Sequence, residues 1–156
     1  MKNSHNHSSF HKVLKQVPAD YYQKGTKKNI LQKLWHTHKI KSAVDLMGNL
    51  NFKNCLDVGC ASGFMLSELA RSFPNVKFFG IDAYDSAIAY AQKNYPHINF
   101  KKSLAEKMPF PKNHFELIIS YETIEHSEHP KEFLEEIKRI LKKDGAFILA
   151  MDSGNL

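Results

Sequence analysis

A chain of 156 residues, 42% hydrophobic and 24% charged, is one domain's worth of globular polypeptide with a single sizeable core. Its two cysteines give no disulfide framework and fit a reducing cytoplasm; no apolar run approaches the roughly 18–20 residues of a membrane span; and the opening MKNSHNHSSFHK lacks the apolar stretch of a secretory signal. The net charge of +6 is uneven, with ten lysines against Asp20 and Asp45 in residues 1–54, a balance of +8, and twelve basic against fourteen acidic side chains in residues 55–156, a balance of −2.

In chain order, residues 1–17 are polar and expected to be a mobile tail, whose His5, His7 and His11 have no partner cluster that would make them a metal tract. Residues 18–51 form a basic extension. Within it Ile30, Leu31, Leu34 and Trp35, then Ile40, Val44, Met47 and Leu50, recur at three- and four-residue steps. This spacing predicts an amphipathic helix, or two in sequence, laid on the domain. Its lysines are either a solvated helical surface or an attractor for an anionic partner such as nucleic acid, a membrane surface or an acidic substrate.

Residues 52–156 then alternate strand and helix. NCLDV reads as a strand and GFMLSELARSF as a helix; VKFFGID is a second strand, and DSAIAYAQKNY a helix that Asp85 or Ser86 would cap. INFKK and FELIIS are the third and fourth strands. PKEFLEEIKRILKK is a helix with Pro130 in its first turn, and Gly145 leads from it into a fifth strand, AFILAM. Strands separated by helices predict an α/β, Rossmann-like fold: an open, mainly parallel five-stranded sheet with helices on both faces and an N-terminal helical extension. Ligands of such sheets bind beyond the C-terminal strand ends, where the strand order reverses.

At that edge lie Asp57, Gly59 and Gly63 after the first strand and Asp82 after the second. Glycines there permit backbone conformations and close approaches that side chains block, and the next helix begins with unpaired N–H groups. Asp82 follows Gly63 by 19 residues, the spacing of a carboxylate that accepts hydrogen bonds from two ribose hydroxyls. The turn Gly59-Cys60-Ala61-Ser62-Gly63 lacks the G-x-G-x-x-G pattern of nicotinamide sites. Asp57, just before it, would repel a pyrophosphate and favour a cationic ligand.

LDVGCASG resembles motif I of the class I S-adenosylmethionine-dependent methyltransferases, and FFGIDAYDSAIAYAQ their second motif. The segment from SLAEKMPF to GAFILA resembles the later motifs of the branch that includes ubiquinone and menaquinone biosynthesis methyltransferases. The resemblance implies S-adenosylmethionine as cofactor, with Gly59 and Gly63 at its methionine end, Asp57 on its amino group, Asp82 on its ribose and Ala83 beside its adenine. Ala105 and Glu106 would stand at the adenine-side loop, with Cys60, Ala61 and Ser120 in the same pocket. Leu104 stands where the family commonly has an acidic residue. The family's sheet usually has seven strands, and this chain's reading ends after five, which implies a shortened sheet, a fragment, or a partner chain that completes it.

SYETIEHSEHP follows the fourth strand, on the rim where an acceptor would meet the methyl group. A helical turn there would bring Glu122 near Glu125 and His126. His126 then serves as a general base, or the two carboxylates and the imidazole bind a divalent ion such as Mg2+, or the segment is only an acidic helix start with a packed histidine. Tyr121 either packs near the sulfonium through its ring face or is rim packing, and Trp35, Tyr21 and Tyr22 either belong to a lid over the cofactor or pin a helix to the domain. The resemblance implies methyl transfer to an oxygen or carbon of a small or lipid-like acceptor. The competing accounts are a non-catalytic cofactor-binding subunit and an RNA-directed enzyme.

Overall fold

The computed structural model describes residues 29–151; the expectations for the tail, for its histidines and for Tyr21 and Tyr22 lie outside the described residues. Helix α1 (Ile30–Gly48) is followed by β1 (Asn54–Val58), α2 (Phe64–Ser72), β2 (Lys77–Asp82), α3 (Asp85–Asn94), β3 (Asn99–Lys102), β4 (Phe115–Tyr121), a 3-10 turn (Ile124–His126), α4 (Pro130–Ile140) and β5 (Leu141–Ala150). The five strands form one sheet in the order β3-β2-β1-β4-β5, with every neighbouring pair parallel. The expected α/β architecture is present. The order reverses between β1 and β4, so the loops after these two strands flank the crevice where such sheets hold ligands.

Successive strand side chains point to opposite faces, and the burial follows that period of two. Cys55, Leu117 and Ile119 face a layer built from Ala43 and Met47 of α1, Leu66 and Leu69 of α2, and Ile88 and Ala91 of α3. Leu56, Val58, Ile81 and Ile118 face the opposite layer, where Phe133, Ile137 and Ile140 of α4 meet Met108 and Phe110. By the same alternation Asp57 shares the face of Cys55, under α1 to α3. This assignment decides what its carboxylate meets.

Three local expectations are corrected. The apolar residues of α1 are not all laid on the domain: one unbroken helix buries His36, Ala43 and Met47, while Ile30, Leu31, Leu34 and Trp35 stay 51–73% exposed. The helix packs on the domain from His36 onwards, where His36 meets Phe64 at the start of α2. Neither Asp85 nor Ser86 caps α3; Asp85 is already helical, the cap position is Tyr84, and the Tyr84 N–H donates to the Asp82 carboxylate instead. Helix α4 stops at Ile140 rather than running through Lys142 and Lys143. The Asn113 and His114 N–H groups donate to the carbonyls of Arg139 and Ile140, and Leu141 pairs directly with Phe115. A register shift before the Leu117–Ala146 pair absorbs the intervening residues, so Gly145 lies inside β5.

The loop before β4 is fastened to α4 by one arginine. Arg139 donates to the carbonyls of Phe110 (2.8 Å) and Met108 (3.0 Å) and pairs with Glu136, whose carboxylate accepts the Met108 N–H at 2.8 Å. The pair holds the Glu136 carboxyl below its usual range. Arg139→Met strips two carbonyls and a carboxylate of their donor and is expected to cost about 1–3 kcal/mol. Urea unfolding should show a lower midpoint at unchanged slope; an unmoved midpoint would mean the loop is held by its apolar contacts alone.

Candidate functional site

The turn after β1 is shaped by backbone that only small residues tolerate. Gly59 and Gly63 have φ of 83° and 77°, and Ala61 between them has 47°. The Gly59 and Cys60 N–H groups both donate to the Ile81 carbonyl at 2.9 Å, which ties the turn to the end of β2. A Cβ on Gly59 would stand 2.2 Å from Thr123 Oγ1, and one on Gly63 would stand 2.7 Å from the Phe100 ring. Both glycines are therefore demanded by φ and by protein packing. The Cys60 thiol is buried, and burial with Asp57 and Asp82 nearby pushes its pKa well up, which keeps it a protonated, inert packing group.

Two carboxylates flank this turn. Asp82, at the C-terminal end of β2, accepts the Ala61 N–H on Oδ2 and the Tyr84 N–H on Oδ1, each at 2.9 Å. Burial raises its pKa, and backbone donors at Tyr84, Ala61 and Ala83 oppose that rise. A carboxylate offers about four acceptor positions, so with three backbone donors one stays open to a ligand hydroxyl such as that of a ribose. Asp57 is buried on the α1-covered face. Desolvation pushes it up to about 7, Lys39 pulls it down, and Asp82 adds repulsion. A dehydrated carboxylate at that value gains from a cation. The donor set thus fits a ligand carrying both a ribose and an ammonium or sulfonium.

The other residues that the resemblance implies on the cofactor side differ in burial and contacts. Ala83 is half-buried beside Asp82. Ala105 is half-buried and packs on the α4-side core, Glu106 accepts the Ser127 hydroxyl at 2.5 Å, and Leu104 is exposed. The buried Ser120 hydroxyl donates to the Val58 carbonyl at 3.0 Å and braces β4 against β1. Tyr121 is half-buried, and burial with Asp57 and Cys55 pushes its phenol up to about 12, so it stays neutral.

After β4 the chain departs from the expected helical turn. Glu122 adopts φ of 52°, its N–H donates to the Ala150 carbonyl at 2.7 Å, and Ile124–His126 form only a 3-10 turn. The left-handed residue turns its carboxylate towards α1, where Glu122 Oε1 lies 2.9 Å from Lys39 Nζ. Among the described residues no three His, Cys, Asp or Glu side chains are gathered so that they could hold a metal ion. The Mg2+ alternative for Glu122, Glu125 and His126 is therefore not supported among the described residues, and a lysine ammonium faces the first of the three. Glu125 and His126 are half-buried on the 3-10 turn, where the His126 N–H donates to the Thr123 carbonyl.

Lys39 is the site residue that sequence reasoning missed. Its ammonium lies 5.0 Å from the Trp35 ring centroid and 5.3 Å from that of Tyr121, pairs with Glu122, and is the cation acting on Asp57. The signal was present. Lys39 sits three residues after His36 and four before Ala43, on the buried stripe of α1, where a lysine is out of place unless paired.

Residues 56–149 match the methyltransferase domain family. The ubiquinone biosynthesis O-methyltransferase of Rickettsia bellii is 34% identical over 116 residues, covering 72% of this chain and 46% of that protein. The phthiotriol/phenolphthiotriol dimycocerosates methyltransferase of Mycobacterium tuberculosis is 30% identical over 112 residues, covering 70% and 40%. The chain thus spans less than half the length of these curated relatives. Among solved structures, a SAM-dependent methyltransferase from Aquifex aeolicus superposes with a TM-score of 0.59 at 28% identity, covering 70% of this chain and 62% of that one. With the glycine turn, the two strand-end acids and the sheet order in place, this chain belongs to the class I S-adenosylmethionine-dependent methyltransferase family.

Proposed function

We propose that this chain binds S-adenosylmethionine across the glycine turn and directs its methyl group to an oxygen or carbon of a lipid-like or quinone-like acceptor. The observation that carries the reading is Asp82, a strand-end carboxylate held by backbone N–H groups beside the glycine turn and keeping acceptor capacity for a ribose hydroxyl. Asp57 would take the α-ammonium, Lys39 the α-carboxylate, and Ala83 and the Ala105–Glu106 loop the two sides of the adenine. The names of the curated relatives, one of ubiquinone biosynthesis and one of phthiotriol/phenolphthiotriol dimycocerosates, support the acceptor class.

When bound, the cofactor supplies a methyl group on a positively charged sulfur, a good leaving group. The protein's own part is alignment and proton removal. A rigid turn, two oriented carboxylates and the neutral Tyr121 ring would fix the donor, and alignment of this kind supplies on the order of 7–11 kcal/mol. His126, at the acceptor rim, would accept the proton of an acceptor hydroxyl, worth roughly 10²- to 10⁴-fold. Helix α1, within the described part of the 18–51 extension, would act as the lid that closes this pocket over residues 52–151.

A second reading is favoured by β5. Among the described residues β5 pairs only with β4, and it leaves Leu149 exposed. The core would then bind cofactor and act with further strands supplied by another segment or chain.

Asp82→Ala should abolish binding of S-adenosylhomocysteine while the thermal transition without ligand is kept. Retained micromolar binding would contradict the pocket. His126→Gln should slow methyl transfer by about 10²- to 10⁴-fold at unchanged S-adenosylhomocysteine affinity. An equal loss of affinity would place His126 in the cofactor site instead.

A further inference from the structure

The Lys39–Glu122 pair joins α1 to the turn after β4, beside the buried His36, on which Lys39 and Glu122 act in opposite directions. Both side chains are half-buried, at 19% and 32% exposure, so Lys39 needs an anionic partner there, while water still reaches the pair and one anion can replace another. The backbone that presents Glu122 is set independently of Lys39. Its left-handed φ is secured by the Glu122 N–H on the Ala150 carbonyl and by Thr123, which packs on Gly59 and donates to the Tyr121 carbonyl. The same lysine is the cation acting on Asp57. An amino acid carries its ammonium and carboxylate on one carbon. Lys39 and Asp57 both border Tyr121, whose ring lies 5.3 Å from the Lys39 ammonium and whose phenol Asp57 pushes up, so a ligand ammonium seated at Asp57 would direct its carboxylate to the side where Lys39 meets Glu122.

We propose that Glu122 is a built-in competitor for the cofactor's carboxylate: Lys39 pairs with Glu122 in the free protein and exchanges it for the methionine carboxylate on binding. This rests on the reading of the pocket as an S-adenosylmethionine site and adds a partner exchange to it. Glu122 is then a positioning residue. In the free protein it holds Lys39 and the lid helix α1 poised over the pocket. In the bound state it is released as a free carboxylate on the acceptor rim, so the rim acquires its charge only after the donor is in place. Donor would bind before acceptor for an electrostatic reason, with no large movement required.

The test uses two ligands that differ in the amino-acid end: S-adenosylhomocysteine, and 5′-methylthioadenosine, which has the nucleoside but neither ammonium nor carboxylate. Glu122→Gln removes the competitor and should tighten S-adenosylhomocysteine binding about two- to fivefold while leaving 5′-methylthioadenosine unchanged. Lys39→Met should weaken S-adenosylhomocysteine about tenfold or more, again sparing 5′-methylthioadenosine. In the Lys39→Met background, Glu122→Gln should no longer tighten anything, which a merely structural role for Glu122 would not produce. Both ligands bound by the wild type, with Glu122→Gln weakening S-adenosylhomocysteine or leaving it unchanged, overturns the exchange alone. Tightening that persists without Lys39 overturns it as well. Failure of the wild type to bind either ligand removes the cofactor reading itself, and the exchange with it.

Discussion

The site is organised around a carboxylate that folding has taken out of water. Asp57 lies near the C-terminal end of β1, the central strand, buried on the face that α1, α2 and α3 cover. An isolated ionised carboxylate in such a place is expensive, and its pKa near 7 expresses that cost. Two things relieve it: a cation, or a proton. Lys39 is the cation the protein itself supplies, and a cationic ligand would be the second. The neighbours follow from this constraint. Cys60 and Tyr121 remain neutral beside it, and Asp82, the other acid, is held by backbone donors at the far side of the turn.

The glycine turn does less for a ligand directly than its pattern implies, and more for the frame. Gly59 makes room for Thr123, and Gly63 makes room for Phe100, so the turn is a joint between the ends of β1, β2, β3 and β4. That joint holds Asp57 and Asp82 on either side of one crevice, with the rim residues Tyr121 to His126 above it. The two carboxylates stand on strand ends fixed by the sheet, whereas Glu125 and His126 stand on a 3-10 turn outside it.

What was legible in the sequence was whatever local period or spacing determines. The five strands and the crossover helices follow from alternation and from three- and four-residue steps, and Asp82 was found from its distance to Gly63. What was not legible depended on single dihedral angles or on contacts remote in sequence. A helical turn at Glu122 was the natural reading of E-x-x-E-H, yet one left-handed residue, held by Ala150 of β5, turns that carboxylate to α1. The end of α4 was misplaced because its last carbonyls are taken up by Asn113 and His114 on the approach to β4. Lys39 looked like one more lysine of a basic arm. Its role emerges only when α1 is laid beside the turn after β4, and the exposed Ile30, Leu31, Leu34 and Trp35 likewise show that period alone does not say how much of a helix reaches the core.

The most direct test is calorimetric titration of the 156-residue chain with S-adenosylhomocysteine at about pH 6.5, in two buffers of different ionisation heat. With Asp57 near 7 in the free protein, its carboxyl is mostly protonated at that pH. An ammonium seated against it favours the ionised form, so affinity rises with pH and binding releases a proton. The account predicts one-to-one binding with a net release of roughly half a proton or more, seen as an apparent enthalpy that differs between the buffers. Binding with no proton released would mean that the ammonium does not meet Asp57, and a folded chain that binds nothing would contradict the pocket as a whole.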